Sequence, residues 1–309
     1  MARIDVPVPR LRRGQVLVKV HAAALNPVDK RLRASALKYL GPFGLPRVPG
    51  SDFVGEVVSI GRGTGAVALG DRVYGMKPAL QGGAFAEYVA VSWHHMAPMP
   101  ATLDAAQAAS VPLAALTALQ GMRDLARLPR PGAKVLVNGA TGGVGVFAVQ
   151  IARILGAEVC AVCSAGNAEL ARELGAREVI DYREEDWVDR GPTWDVVFDA
   201  AGHRRFAEAR RALLPGGHFI STEPSPANYL GVARSRFSSR ARAHVVFVVS
   251  DRTNLQQLTA YLEAGELRTH VHRTWDLAEV PEALHTLKTG GHRGKHVILV
   301  AGGSSSGPA

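Results

Sequence analysis

The sequence predicts an α/β protein of two domains, in which a small β domain accompanies a doubly wound parallel sheet. Short strands punctuated by glycine precede Thr102, and an alanine-rich helical stretch follows it. A strand, a glycine turn, a helix and a second strand then occupy residues 133–163. Short glycine-separated strands are typical of small barrels, whereas a βαβ unit belongs to a parallel sheet. A chain of 309 residues is long enough for two such cores.

The first domain is predicted from its strand patterns. Residues 14–21 alternate apolar and polar side chains, as in a strand with one exposed face. Asn26-Pro27 is a turn signal that leads into a short helical pattern. Further strand segments occur in residues 48–58, 70–75 and 82–89. Their shortness and their glycines indicate a barrel-like sheet rather than an open one.

The second domain is centred on its glycine turn. The apolar run 135–137 leads into the turn, apolar residues at helical spacing continue to Leu155, and a strand is predicted at 158–163. Backbone at Gly142 and Gly143 can approach a pyrophosphate, and Gly145 permits close packing of helix and strand. The first glycine of G-x-G-x-x-G is replaced by Ala140. The context still predicts a dinucleotide site, formed by Ala140, Thr141, Gly142, Gly143, Val144 and Gly145.

The end of the second strand of this unit predicts which dinucleotide binds. NAD sites usually place Asp or Glu there to hold the ribose hydroxyls, but residues 163–167 contain neither. A carboxylate would repel a 2′-phosphate, whereas the Ser164 hydroxyl and the Asn167 amide can donate hydrogen bonds to it. NADPH is therefore favoured as the cofactor. Arg183, after the third strand, is a candidate source of positive charge.

Composition argues against several other classes of protein. The net charge is +9, but the arginines are spread along the chain without interleaved aromatic residues, so we expect a basic surface and no nucleic-acid partner. No apolar run approaches the roughly 18 residues of a membrane span, and the N-terminus lacks the apolar core of a signal peptide. A cytoplasmic protein without a membrane partner is expected. Cys160 and Cys163 lie on a predicted buried strand and are interpreted as packing residues.

The remaining elements are predicted by the same periodicities. Helices are expected at 167–174, 204–213 and 254–263, and strands at 178–182, 194–199, 218–221, 245–249 and 296–300. Segment 223–243 has little periodicity and many Ser, Pro and Arg residues, which predicts a long loop. The last strand should return to the first domain. The predicted division is therefore 1–114 with 253–309, and 115–252.

No metal-ligating residues are predicted. His94-His95 and the His270/His272 pair have no carboxylate or cysteine at ligand spacing, so they are interpreted as surface or strand histidines. Without a Lewis acid nothing would lower the pKa of an alcohol, and alcohol oxidation is disfavoured.

Successive segments resemble the medium-chain dehydrogenase/reductase superfamily and, within it, the zinc-free quinone oxidoreductase (zeta-crystallin-like) branch. The matching segments are ALNPVDKRLR, PGSDFVGEVVSIG, GDRVYG, GGAFAEYV, AASVPLAALTAL, GATGGVG, LGAREVIDYREED, WDVVFDAAG, LLPGGHFIS and HRGKHVILV. They occur in family order over nearly the whole chain. The resemblance implies a GroES-like β-barrel catalytic domain, a Rossmann domain for NADPH, a cofactor cleft between them and a homodimer.

The function that this resemblance implies is an NADPH-dependent, zinc-independent reductase. Hydride would pass to a quinone or to an α,β-unsaturated carbonyl. Two alternatives stay open: an enoyl or alkenal reductase of a biosynthetic pathway, and an NADPH-binding sensor or structural protein with little turnover.

The resemblance also assigns site residues. Asn26 matches an asparagine at the nicotinamide end of the cleft, where it is the best candidate donor to a substrate oxygen; a simple turn residue is its alternative. Tyr39 could protonate an enolate or act as a lid residue, and Arg31 and Arg33 are weaker candidates. The implied cofactor contacts are Asn26, Thr117, Ser164, Asn167, Tyr182, Phe247 and Val249. For Tyr182, packing at a strand end is the open alternative.

Overall fold

The computed structural model describes residues 4–34, 48–128, 130–237, 240–287 and 291–300. It divides into two compact units. The first unit comprises Met1–Leu116, Val249–Gly265 and Thr269–Ala309, and the second comprises Thr117–Val248 and Glu266–Arg268. The units therefore change at Leu116 and at Val249, close to the predicted positions 114 and 253.

Both units are built from short strands and helices, numbered along the chain over the described residues. The strands are β1 Gln15–Ala24, β2 Asp52–Ile60, β3 Arg72–Met76, β4 Tyr88–Ser92, β5 Met96–Pro98, β6 Lys134–Asn138, β7 Glu158–Cys163, β8 Glu178–Asp181, β9 Trp194–Asp199, β10 Leu213–Ser221, β11 Ala241–Val245, β12 Val271–Asp276 and β13 Lys295–Leu299. The α-helices are α1 Pro27–Ala34, α2 Ala105–Ala109, α3 Pro112–Leu119, α4 Gly145–Ile154, α5 Ala168–Glu173, α6 Phe206–Ala209, α7 Pro226–Ser235, α8 Arg252–Glu263 and α9 Val280–Thr286. A π-helical turn, Gln120–Leu125, follows α3. No helix among these residues is long and apolar enough to cross a bilayer.

The first unit is built on a seven-stranded sheet in the order β12-β13-β1-β2-β3-β5, with β4 also paired to β1. Strand β1 pairs with β4 over its first half and with β13 over its second half. Val16, Val18 and Val20 alternate into that core, as the period of two predicts. The last strand returns to this sheet as expected.

The second unit contains a six-stranded parallel sheet in the order β11-β10-β9-β6-β7-β8. Its central strand β6 is buried on both faces, which explains the continuous apolar run in the sequence. The predicted fold class, a GroES-like domain with a Rossmann-type parallel sheet, is confirmed.

The predicted long loop at 223–243 is wrong, because this segment contains α7 and the beginning of β11. Ser225 caps the helix by accepting a hydrogen bond from Asn228 N at 3.2 Å, and Pro226 occupies the first turn. The sixth strand lies at Ala241–Val245 rather than at 245–249. A strand at the edge of a sheet tolerates polar residues on its outer face, so its periodicity is hidden.

Smaller differences concern the elements before α7. Helix α6 is shorter than the predicted 204–213, and β10 begins at Leu213 instead of 218. The pairing of β10 with β9 shifts register between Leu213 and His218. The strand therefore runs through the Pro-Gly-Gly segment at which the sequence pattern predicts its boundary.

Candidate active site

The glycine turn of the second unit makes its sharp bend at Gly139. This residue has φ +77°, which is the left-handed conformation that glycine adopts at no steric cost. A Cβ at Gly145 would collide with the Gly139 carbonyl oxygen, so α4 can start this close to β6 only with glycine there. Ala140 is fully buried behind the turn. The missing glycine of the motif is thus explained, because Gly139 supplies the bend.

Gly142, unlike Gly145, has room for a side chain. Among the described residues, a Cβ there would meet only the Gly139 carbonyl oxygen, at 3.4 Å, so the packing of these residues does not require a glycine. It lies just ahead of α4, where Val146 N donates to Gly142 O at 3.0 Å. The N-terminus of a helix presents amide N–H groups and the positive end of the helix dipole. Bare backbone at this position fits the approach of a pyrophosphate.

The carboxyl ends of β7 and β8 are fastened together by Asp181. One of its carboxylate oxygens accepts a hydrogen bond from Ala165 N at 2.9 Å, and the other accepts from Arg183 N at 3.0 Å. Ser164 and Tyr182, which directly follow these two strands, are thereby held side by side. Tyr182 is 57% exposed, and the Arg183 guanidinium stacks on its ring at 5.7 Å. This exposure does not fit a residue that packs at a strand end.

Asn167 connects this edge to the glycine turn. Its side-chain amide donates to Thr141 Oγ1 at 3.1 Å, and both residues are buried. The predicted pyrophosphate turn and the predicted 2′-phosphate positions are therefore parts of one hydrogen-bonded surface. Asp181 is an acidic residue that sequence reasoning missed, because it comes from the third strand rather than the second. Its charge is directed at two backbone N–H groups.

Asn26 occupies the centre of a buried network in the first unit. Its amide Nδ2 donates to Asp52 Oδ2 at 2.9 Å and to Ala24 O at 3.3 Å. Its Oδ1 accepts from Lys295 Nζ at 2.5 Å. An amide NH₂ has two donor hydrogens, so both already have acceptors. A substrate oxygen would have to replace one of these acceptors to receive a hydrogen bond from Asn26.

The charged members of this network are buried with Asn26. Lys295 also donates to Leu25 O at 3.0 Å and lies 3.8 Å from Asp52, whose second oxygen accepts from Leu113 N. Burial raises the pKa of Asp52 to about 6, against the opposing effect of Lys295. Burial also lowers the pKa of Lys295. Burial therefore disfavours the charged form of both members of the pair.

Asp29 holds the turn in which Asn26 lies. Its carboxylate accepts from Asn26 N at 2.9 Å, while Asp29 N donates back to Asn26 O at 3.0 Å. Burial raises the pKa of Asp29 to about 7, although hydrogen bonds from the backbone of Asn26 and Gly50 act in the opposite direction. Pro27 between the two partners fixes the first helical φ and needs no N–H acceptor. Asp29 therefore holds the backbone of Asn26, while Asp52 and Lys295 hold its side chain.

Comparison with known proteins identifies the family. Residues 12–101 match the model of the alcohol dehydrogenase GroES-like domain, and residues 174–298 match a model described as zinc-binding dehydrogenase. The chloroplast envelope quinone oxidoreductase homolog of Arabidopsis thaliana is 30% identical over 307 residues, which are 96% of this chain and 93% of that protein. The chain belongs to the medium-chain dehydrogenase/reductase superfamily. Within it, the chain is quinone oxidoreductase-like and is an NAD(P)H-dependent oxidoreductase.

Two other relatives agree with this placement in the superfamily. The 2-methylene-furan-3-one reductase of Solanum lycopersicum is 35% identical over 306 residues, covering 95% of this chain and 74% of that protein. The structure of the quinone oxidoreductase from Coxiella burnetii superposes with a TM-score of 0.85 at 32% identity, covering 96% of this chain and 94% of that one. The likeness extends across both units, so the resemblance stated from motifs is confirmed.

Other residues that the superfamily resemblance assigns are less closely grouped. Thr117 is buried on α3, at the start of the second unit. Phe247 and Val249 follow β11 and are mostly exposed, and the Phe247 ring stacks with Tyr229 at 6.1 Å. Tyr39 lies outside the described residues. The structure thus brings together Thr141, Ser164, Asn167 and Tyr182. The roles of all the predicted site residues stay predictions.

Sequence reasoning about this oxidoreductase missed Asp29, Asp52 and Lys295. All three stand in segments that carry the resemblance, but no role was given to them. For two of them the signal was a charged residue at the start of an apolar strand, since Asp52 is the first residue of β2 and Lys295 is the first residue of β13. Charged side chains are almost never fully buried unless they are paired. A buried charged residue at such a position therefore predicts a partner elsewhere in the chain.

Proposed function

We propose that the protein is an NADPH-dependent reductase that transfers hydride to a quinone or to the β-carbon of an α,β-unsaturated carbonyl, without zinc. The observation that carries the proposal is the surface formed by Ser164, Tyr182 and Arg183. It presents hydroxyl, aromatic and guanidinium groups at the end of β7, and the neighbouring carboxylate, that of Asp181 at the end of β8, accepts hydrogen bonds from two backbone N–H groups. These groups suit a 2′-phosphate, which the Arg183 cation and hydroxyl donors would stabilise.

Support for the substrate class comes from the relatives. Their names include quinone oxidoreductases and a 2-methylene-furan-3-one reductase. Quinones and enones share one chemical requirement, because accepting hydride places negative charge on an oxygen. A positioned hydrogen-bond donor near that oxygen lowers the barrier.

Asn26 is the donor that we propose for this charge. Lys295 donates to its carbonyl oxygen, which polarises the amide and strengthens its N–H donors. The hydrogen bond to Ala24 O is the longer of the two that Nδ2 makes, so this hydrogen is the easier one to redirect toward substrate. The bound nicotinamide supplies the hydride, and the chain supplies orientation and this donor.

The zinc-independent part of the proposal rests on the ligands that the sequence offers. Its two cysteines, Cys160 and Cys163, are both buried on β7 of the second unit. Asn26 has a lysine and two carboxylates around it, which form hydrogen bonds with it. Reductase activity should survive prolonged chelation and dialysis unchanged. Activity that disappears with the metal and returns with added Zn²⁺ would contradict this part.

Cofactor choice is tested with Ser164→Asp, and Ser164→Ala is the matched control. A hydrogen bond to a charged group contributes roughly 1.5–3 kcal/mol, so two or three of them give one to several decades of preference for NADPH over NADH. The aspartate should remove most of this preference by repulsion, whereas alanine should remove only one hydrogen bond. Dissociation constants for both cofactors, measured by fluorescence titration, decide the matter. Equal affinities in the unmodified protein would refute the assignment.

Turnover is tested with a panel of small quinones and enones under NADPH. An enzyme should oxidise NADPH with at least one class of acceptor. Micromolar NADPH binding without turnover on any acceptor would instead favour the sensor or structural alternative. A preference for open-chain enals over quinones would favour the alkenal reductase alternative.

We also propose a homodimer. Strand β11 is an edge of the parallel sheet in the second unit, and an edge strand presents backbone groups with which a second copy can pair. Sedimentation equilibrium at micromolar concentration should give twice the chain mass. A monomer at these concentrations would contradict the proposal.

A further inference from the structure

Three histidines of the first unit converge at the pair of parallel strands β12 and β13. His272 lies on β12, His296 lies on β13, and His292 precedes β13. One nitrogen of each imidazole lies within 4.8 Å of the corresponding nitrogens of the other two. Lys295 and His296 are neighbours on a strand, so their side chains point to opposite faces. The histidine cluster is therefore on the other side of β13 from the Asn26 network.

Hydrogen bonds fix the tautomers of all three rings: His272 Nδ1 accepts from the Arg293 backbone N–H at 3.3 Å, so the proton of neutral His272 is on Nε2. Trp275 Nε1 can only donate, and it lies 3.0 Å from His296 Nδ1, so the proton of neutral His296 is on Nε2. His292 Nε2 lies 3.0 Å from the Thr286 carbonyl and donates to it. His292 Nδ1 therefore has a lone pair, which points at His296 Nε2 across 3.1 Å. In the usual metal-binding histidine, one ring nitrogen donates its N–H to a backbone carbonyl, and the lone pair of the other nitrogen points into the site.

Burial favours the neutral form of the His296 and His272 imidazoles. Burial, with repulsion from His292 and His272, lowers the pKa of His296 to about 4. Burial and the neighbouring His292 also lower the pKa of His272. Neutral imidazole is the form that coordinates a metal ion.

We propose that His272, His292 and His296 form a binding site for a divalent transition-metal ion of the zinc–copper class. Two nitrogens bound to a tetrahedral Zn²⁺ at about 2.0–2.1 Å are about 3.3–3.4 Å apart, close to the separation of the His292 and His296 nitrogens. Three imidazoles without thiolate suit Zn²⁺, Cu²⁺ or Ni²⁺ and do not suit Mg²⁺ or Ca²⁺. His272 is exposed and His296 is buried, so an ion can enter from solvent with a fourth position open to water.

Two features of the cluster limit the affinity. For His296 or His272 to bind through Nε2, the proton of that ring must move to Nδ1, where it meets the Trp275 N–H or the Arg293 N–H, respectively. Arg273, whose guanidinium lies 3.6 Å from the Trp275 ring, and Lys295 add positive charge nearby. We therefore expect a dissociation constant on the order of micromolar, weaker than that of a structural zinc site. Removing the indole N–H should strengthen binding.

The experiment uses the full chain without a histidine tag, freed of metal and titrated with Zn²⁺ against a chromophoric indicator. Saturable binding of one ion per chain is expected, with a rise in the melting temperature. His272→Ala should weaken binding at least about 10-fold without a change in fold, since this side chain is exposed. His285→Ala, an exposed histidine on α9 outside the cluster, is the matched control and should bind as the unmodified protein does.

Trp275→Phe provides a second and more specific measurement. It retains an aromatic ring but removes the competing donor, so Zn²⁺ should bind several-fold more tightly. No saturable Zn²⁺ binding below about 100 µM, a range far above the expected constant, would overturn the proposal. So would a His272→Ala variant that binds as well as the His285→Ala control, or a Trp275→Phe variant that binds more weakly than the unmodified protein. None of these readouts depends on catalytic activity, so the proposed function can fail while this site stands.

Discussion

The glycine turn of the second unit and the Asn26 network of the first unit use opposite means to present polar groups. The turn exposes backbone, and its geometry depends on the absence of side chains at Gly139 and Gly145. The network orients one amide by burying three ionisable side chains around it, those of Asp29, Asp52 and Lys295. The backbone site therefore depends on the room left by missing side chains, and the buried network depends on each ionisable group having a partner.

The two sites should consequently respond to different kinds of substitution. At Gly139 and Gly145 of the turn, added volume should be the most destabilising change, because a new Cβ would overlap with neighbouring atoms unless the backbone moved. Lost charge is the main hazard in the network, because a partner left behind is buried and unpaired. If lost charge were tolerated in the network, or added volume at Gly139 and Gly145, the two sites would not differ in this way.

The largest effect is expected from Gly145→Ala. Its Cβ would collide with the Gly139 carbonyl oxygen, and only a backbone shift can relieve this overlap. We expect a loss of unfolding free energy of at least ~3 kcal/mol and no measurable binding of NADPH. Denaturant unfolding and fluorescence titration measure these two quantities.

Gly142→Ala is the matched control for this change. Its Cβ has an ordinary contact at 3.4 Å, so the unfolding free energy should change by less than about 0.5 kcal/mol. If the pyrophosphate approaches the backbone here, NADPH binding should still weaken markedly. A variant that is fully stable and binds NADPH normally would remove Gly142 from the cofactor site.

Lys295→Met should have the next largest effect. The substitution keeps most of the length of the side chain but leaves Asp52 buried without its cation, so a loss of about 3 kcal/mol in unfolding free energy is expected. The double variant Lys295→Met with Asp52→Asn should recover part of this loss, since the remaining charge is also removed. If the two single losses simply add in the double variant, the pair is not coupled.

Asp29 should make the unfolding free energy depend on pH, with an effect of intermediate size. In the unfolded chain an Asp titrates near 3.8, whereas burial raises the pKa of Asp29 to about 7 in the folded protein. Between these values the folded state holds the extra proton, so the unfolding free energy should fall as pH rises from about 4 to 7, by up to about 1.4 kcal/mol per unit. Asp52, with its pKa raised to about 6, acts in the same direction. Asp29→Asn should make the slope shallower, and parallel profiles for the two proteins would contradict the assignment.

Much of the second unit could be predicted because its signals are local. The run Val135–Val137 is apolar throughout because β6 is covered on both faces, and the glycine turn follows it directly. The helix α7 was missed although Ser225-Pro226 is a helix-start signal, because its apolar periodicity is weak. A cap that satisfies orphan N–H groups can define a helix where the hydrophobic pattern does not.

The network and the histidine cluster could not be predicted because their partners are distant in the chain. Asn26 and Lys295 are 269 residues apart, and only the pairing of β13 with β1 brings them together. In the sequence, His272 is considered only with His270 and is interpreted as a surface or strand histidine, whereas the parallel pairing of β12 with β13 brings His272 close to His296. Sheet register decides which side chains meet, and the sequence of one strand does not contain it.

The smallest expected effect concerns Arg183 at the edge of the cofactor surface. Its guanidinium is exposed and stacked on Tyr182, so water and salt screen its attraction for a 2′-phosphate. Arg183→Ala should therefore raise the dissociation constant of NADPH only about 3- to 10-fold, and that of NADH should hardly change. Arg210→Ala, an exposed arginine next to α6, is the matched control and should alter neither constant. An equal loss for both cofactors would place Arg183 on the pyrophosphate or on the fold instead, and the positive charge at the 2′-phosphate would have to come from another residue.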